Sequence, residues 1–201
     1  MLLKYSLSWN KKHYERWNCV NCVDPIRDKQ DIHRMYEFLK AHSMRDYLFF
    51  KFAIHTGIKL TELLNFKVSQ FLSDQGVSMT RWYETDSNIR VVIPEQLRKE
   101  LKQYIQAEAI SGDDLLFRSK RTKKGLSRQQ AYRIVNNAAH QLGIEHIGLT
   151  TLRKTFAYHA YKSGISVSII QKYLGHQTAY ETMKFIGISK KEINTTIALN
   201  L

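Results

Sequence analysis

Three separated blocks hold the side chains able to do chemistry. The first, HTGIKLTELLNFKV (His55–Val68), offers a cation at Lys59 and a carboxylate three positions on, at Glu62. The second, LTTLRKTFAYHAYKSGISVSIIQKYLGHQ (Leu149–Gln177), offers Thr150, Arg153, Lys154 and His176. The third, ETMKFIGI (Glu181–Ile188), brings Phe185, nine residues beyond His176. Cations of these types hold oxyanions, and an imidazole moves protons near neutral pH. Phe185 itself brings no chemistry, because its ring has no atom that can attack or donate. Each residue also has a plain reading: Lys59 as a solvated cation, His176 as a helix-end cap, Arg153 in an ion pair with Glu62, Phe185 as a packing ring.

The elements that must position these blocks read as mostly helical, since two prolines and nine glycines leave little punctuation. DKQDIHRMYEFLKAHS starts on an Asp cap, with Ile32, Met35, Tyr36, Phe38 and Leu39 at helical spacing. MRDYLFFKFAIHTG follows as a buried helix closed by Gly57, and KLTELLNFKVSQF as a further short one. Between Ser78 and Pro94 the pattern changes to SMTRWYET, a turn-like DSN and IRVVIP, which predicts a hairpin. Helices return at EQLRKELKQYIQAEA, at SRQQAYRIVNNAAHQLG, and over Leu152–Ser163, Ser166–Leu174 and Ala179–Phe185. The expected fold is mainly α with one small antiparallel sheet.

Composition bounds the class. With 201 residues, 43% of them hydrophobic, the chain suits one folded domain with a substantial core. The N-terminus lacks the apolar run and small-residue cleavage site of a signal peptide, and the most apolar run, YLFFKFAI, is too short to span a bilayer. No membrane partner is expected, and a reducing cytoplasm is the default. Cys19 and Cys22 have no second pair and read as incidental, so neither a metal nor a cofactor is expected.

Charge says more. The net charge is +13, and residues 115–201 hold 14 Lys and Arg against 3 Asp and Glu. So concentrated a basic field is the footprint of a polyanion, with nucleic acid the leading partner. RSKRTKKGLSRQQAYR (Arg118–Arg133) gathers Arg118, Lys120, Arg121, Lys123, Lys124, Arg128 and Arg133 in a loop and the opening of a helix, a placement suited to phosphate contacts.

Taken together, the three blocks resemble the catalytic domain of the tyrosine recombinases, the family of phage integrases and Xer-type recombinases. The family pattern opens with T-G-[LI]-R-x-x-E, continues with H-x-L-R-[HK]-T-F-A and L-G-H, and ends on a Tyr nine residues past that His. Order, spacing and neighbours agree from about Val23 to the C-terminus. The resemblance implies double-stranded DNA as the partner. In the family a tyrosine oxygen attacks a DNA phosphorus and two arginines hold the non-bridging oxygens. A hairpin lysine then protonates the leaving oxygen.

Carried over position by position, the family's first arginine falls on Lys59, which keeps charge but loses the planar fork. The hairpin lysine falls near Asp86, with Arg81 as a substitute on the first strand. The histidine before the second arginine falls on Thr150. Arg153, Lys154 and His176 match, and the nucleophile position is Phe185. The resemblance therefore implies a DNA-binding member of the family, for DNA integration or recombination on a mobile element, that cannot cleave.

Two other readings stand beside it. One is an active integrase, either altered at its tyrosine or using Tyr180 or Tyr173. The other is a basic interaction module for a recombinase partner or RNA. Residues 1–22 read as an N-terminal appendage in place of the family's N-terminal helical domain, and 23–201 as the catalytic-type domain. The apolar tail INTTIALNL suggests docking on this domain, on another recombinase subunit or on a second copy.

Overall fold

The computed structural model describes residues 23–71, 82–84, 89–119, 122 and 124–188. Asp28 starts α1 (Lys29–His42) by accepting the Gln30 amide, and Ser43 both ends α1 and caps α2 (Met44–Thr56) by accepting from the Asp46 amide. α1 turns Met35 and Leu39 inward, whereas α2 buries Phe49, Phe50 and Phe52 completely. Such an all-round apolar helix belongs at the centre of a domain. It ends at Gly57, whose left-handed backbone (φ 62°) closes the last turn.

α3 (Leu60–Leu64) is shorter than the pattern KLTELLNFKVSQF predicts. The Asn65 side-chain Nδ2 donates to the Thr61 carbonyl and Lys67 pairs with Leu115 in a β-bridge, so the chain leaves the helix and re-enters only as a 3-10 turn at Val68–Gln70. Phe66 and Phe71 then meet with centroids 4.4 Å apart beneath α2. The predicted hairpin is present as β1 (Trp82–Glu84) and β2 (Arg90–Val92), antiparallel with Tyr83 opposite Val91. Its tip, with Asp86, and the position Arg81 lie outside the described residues.

α4 (Glu95–Ala107), α5 (Arg128–Gln141), α6 (Leu149–Lys162), α7 (Val167–Leu174) and α8 (Ala179–Phe185) follow, and among the described residues the fold is mainly α with one two-stranded sheet, as the sequence predicts. α6 begins three residues earlier than its apolar pattern suggests. Thr151 is buried, and its hydroxyl accepts the Gly148 amide, which fixes a first helical turn that includes Thr150.

Two clusters share the interior. The larger joins α1, α2, α4 and α5 and takes Leu152 from α6; the smaller joins α7 and α8 and takes Ala157 from α6. α6 therefore crosses the seam between them, and Arg153 stands where it crosses. The segment Val23–Arg27 runs along α6: the Asp24 amide donates to the His146 carbonyl, the Ile26 amide to Thr155 Oγ1, and Arg27 to the Gly187 carbonyl. Among the described residues no helix is long and apolar enough to cross a membrane, and no group of His, Cys, Asp and Glu is placed to hold a metal. Cys19 and Cys22 are outside that set.

Candidate functional site

Arg153 is held by two helix ends. Its Nε donates to the Gly57 carbonyl (3.0 Å) and Nη2 to the Tyr173 carbonyl (3.3 Å), so one guanidinium ties the C-terminus of α2 to that of α7. Carbonyls at helix C-termini lack intrahelical donors and carry partial negative charge, which makes a cation a fitting partner. Tyr173 reinforces the junction, its hydroxyl donating to the Thr56 carbonyl. Burial raises the phenol's pKa, only partly offset by Arg153. A phenol so placed is a strut and not an alternative nucleophile.

Beside Arg153 lies a cavity of about 200 Å³ whose wall includes Lys59, Thr150, Arg153, Phe185 and Arg128. Four of the positions singled out in the sequence blocks thus converge on one space. Lys59 stands at the N-terminus of α3, half in solvent, with Nζ 3.5 Å from Glu62 Oε1. Thr150 reaches the wall from the first turn of α6, one turn before Arg153 on the same face.

His176 and Lys154 flank the Phe185 ring. The imidazole meets it edge-on, with centroids 5.1 Å apart and planes at 69°, and Lys154 Nζ sits 5.4 Å from the ring centroid. Lys154 is anchored there by donating to the Val23 carbonyl (2.8 Å). His176 Nδ1 lies 3.1 Å from Thr182 Oγ1, and that hydroxyl donates to the Thr178 carbonyl. With its proton so used, the hydroxyl accepts from Nδ1–H, which leaves Nε2 as the basic nitrogen. Burial lowers the pKa of His176, Glu181 opposing and Arg153 adding to the effect, so the ring is neutral at pH 7.

The basic run divides. Arg118 is turned inward, only 12% exposed and bonded to Asp114 (2.5 Å), so this member of the expected DNA-contacting set is engaged within the fold. Lys124, Arg128 and Arg133 are exposed. Lys120, Arg121 and Lys123 lie outside the described residues, as does the tail from Ser189. Tyr180 is on the surface of α8, 55% exposed.

Some parts of the site were not legible as such. In the sequence Arg128 belongs to the basic run, and nothing there marks it as sharing a cavity with Arg153. The roles of Thr182, Tyr173 and Gly57 in holding His176 and Arg153 depend on contacts between helices. Only the left-handed glycine after α2 left a trace, as the helix-closing Gly57.

A mainly helical domain with one hairpin, and a buried-edge arginine between two helix ends beside a Gly-His turn, defines the catalytic-domain class of the tyrosine recombinases. The chain belongs to the phage integrase family, whose model matches residues 27–192. It is 33% identical over 171 residues to the "probable integrase/recombinase YoeC" of Bacillus subtilis, covering 85% of this chain and 93% of that one. It is 25% identical over 170 residues to the tyrosine recombinase XerA of Pyrococcus furiosus, covering 84% of this chain and 59% of that one. Solved structures share the fold. The XerA recombinase crystal structure superposes with a TM-score of 0.66 at 22% identity, over 86% of this chain and 62% of that one. XerH bound to its palindromic difH substrate after cleavage gives 0.67 at 18% identity, over 90% of this chain and 54% of that one. The chain thus spans nearly all of the Bacillus relative and little more than half of these Xer recombinases.

Proposed function

We propose that this chain is a DNA-binding member of the phage integrase family, acting in DNA integration or recombination, that does not itself cleave DNA. One observation carries the reading: Phe185, at the family's nucleophile position, presents a ring without a hydroxyl to the cavity that Lys59 and Arg153 share. No phosphotyrosine can form there. Thr150 cannot take up and release a proton near neutral pH as an imidazole does, and Lys59 offers a point charge where the family's fork is bidentate, so the deficit extends beyond the nucleophile. A working enzyme changed only at its tyrosine does not account for those two positions.

The neutral His176, the inward Arg153 and the exposed Lys124, Arg128 and Arg133 leave a surface suited to phosphates. DNA held by such contacts is bound with little regard for sequence and lost steeply as salt rises. The domain from residue 23 onward is the catalytic-type unit, and residues 1–22 an appendage to it. Partners by this reading are double-stranded DNA and, through the tail, another recombinase subunit or a second copy.

A suicide-substrate assay tests the central claim. The wild-type chain should retain nicked family-type duplexes in a salt-dependent manner and give no covalent protein–DNA adduct. A trapped adduct overturns inactivity, and retention that is flat across a salt series overturns phosphate-driven binding.

A further inference from the structure

We propose that Arg128 grips the same phosphate as Lys59 and Arg153, as the third cation of the pocket and not as one more member of the basic loop; the proposal rests on the DNA-binding reading above. Arg128 is the first residue of α5, and its origin is fixed. Ser127 accepts the Gln130 amide (3.2 Å) while the Gln130 side chain accepts the Ser127 amide (2.8 Å), a reciprocal cap that defines where the helix begins.

The start of α5 is in turn fastened beside α3. Leu126 donates to the Phe117 carbonyl and Ser119 to the Lys124 carbonyl, closing the base of the basic loop. Between them Gly125 approaches so closely that a Cβ there would stand 2.8 Å from Leu115 Cδ1 and 3.0 Å from the Leu64 carbonyl. Leu64 is the last residue of α3, whose other end carries Lys59. A hydrogen atom in place of a side chain at Gly125 therefore sets the distance between the two cations' helices, and both reach the wall of one cavity.

The chemistry of the pocket leaves a role for a third cation. Arg153 gives Nε and Nη2 to carbonyls, and Lys59 lies 3.5 Å from Glu62. Arg128 is exposed and makes no hydrogen bond or ion pair among the described residues, whereas Arg34, Arg45 and Arg118 are each paired with an aspartate. Its planar fork supplies the bidentate phosphate contact that Lys59 cannot form. Thr150 is short enough to leave the cavity open at about 200 Å³, roughly the liquid volume of six waters, which admits a phosphodiester group.

The test is a coupling measurement on the whole chain. Fluorescence anisotropy with a random-sequence duplex compares wild type, R128Q, K59Q, R133Q and the doubles R128Q/K59Q and R133Q/K59Q. Arg128 and Lys59 are both exposed, so these variants should fold. R128Q and K59Q should each lower affinity about 10-fold. If they share a phosphate, the double should lose at least about 3-fold less than the product of the singles, while R133Q/K59Q multiplies. Multiplying effects in R128Q/K59Q overturn the assignment. If the wild type retains no duplex at all, the DNA-binding reading falls, and inorganic phosphate decides the pocket. A phosphate-induced rise in Tm in wild type and R133Q but not in R128Q supports the assignment; no rise, or an equal rise in all three, overturns it.

Discussion

The imidazole of His176 meets the ring of Phe185 edge-on, centroids 5.1 Å apart, with its Nδ1 proton committed to Thr182. A histidine whose free nitrogen is basic and whose neighbour is a phenyl ring is a proton acceptor without a proton to accept. Restoring the hydroxyl in F185Y supplies that proton, yet Lys59 and Thr150 are unchanged. A positioned proton-transfer group contributes about 10²–10⁴-fold to such reactions, and these groups act as a unit. F185Y alone should therefore give no adduct on a suicide substrate within an hour. The quadruple variant F185Y/K59R/T150H/D86K, which also returns the hairpin lysine that protonates the leaving oxygen, should give one. Cleavage by F185Y alone would show that only the nucleophile is missing.

The sequence carried the fold because its signals were local. An Asp cap, a left-handed glycine and a run of apolar residues mark α1 and α2 within their own spans. It failed where a contact from elsewhere decided the outcome. Nothing within KLTELLNFKVSQF announces that Lys67 will pair with Leu115, which ends α3 early. Likewise the start of α6 depends on Thr151, a β-branched residue that looks unfavourable until its hydroxyl is seen to accept the Gly148 amide. The site divides the same way. The family resemblance picked out Lys59, Arg153, His176 and Phe185, but the entry of Arg128 into the cavity lined by Lys59, Arg153 and Phe185 depends on Gly125 packing against Leu64.

Gly57 joins conformational and steric demands in one position. Its φ is +62°, and a Cβ there would fall 2.2 Å from Phe156 Cδ1, a ring packed against Tyr173 at 5.2 Å. The Gly57 carbonyl also holds Arg153. G57A should cost about 3 kcal/mol, combining left-handed strain with overpacking, and should weaken duplex binding through the displaced guanidinium. Gly112 provides the comparison, with φ +47° and nothing within 4 Å of its virtual Cβ. G112A should cost only the strain, about 1 kcal/mol. Urea unfolding of both variants checks the difference; equal costs would mean that Phe156 moves aside freely.

Lys51 and Glu100 join α2 to α4 by an ion pair at 2.8 Å, each side chain 12% exposed, with the Tyr47 hydroxyl bonded to both. Burial by itself would lower the lysine's pKa, but its bonds to Glu100 and Tyr47 leave it raised. Burial would likewise raise that of Glu100, and the bonds from Lys51, Gln96 and Tyr47 leave it lowered. Both are charged at pH 7. K51M leaves a mostly buried carboxylate with Tyr47 and Gln96 as its remaining partners and should cost about 3 kcal/mol in urea unfolding. K51M/E100L, which removes both charges, should recover most of that loss. A single variant as stable as wild type would show that water reaches the pair.

His55 makes stability fall on the acid side. Its Nε2 lies 3.1 Å from the Tyr36 hydroxyl. Burial lowers its pKa from the ordinary 6.5, with Lys51 adding to the shift and Glu100 opposing it. The unfolded chain therefore takes up the proton first. Stability is whole above the unfolded value and declines as pH falls from there towards the folded one. His176, lowered in the same direction, adds to the decline. The Tm should be nearly level between pH 7 and 8 and drop as the pH falls below the ordinary histidine value. In H55Q, whose amide can still bond the Tyr36 hydroxyl, the drop should be shallower while the Tm at pH 8 stays within a few degrees of wild type. Calorimetry from pH 5 to 8 on both proteins measures this, and an unchanged slope in H55Q would assign the acid loss to other groups.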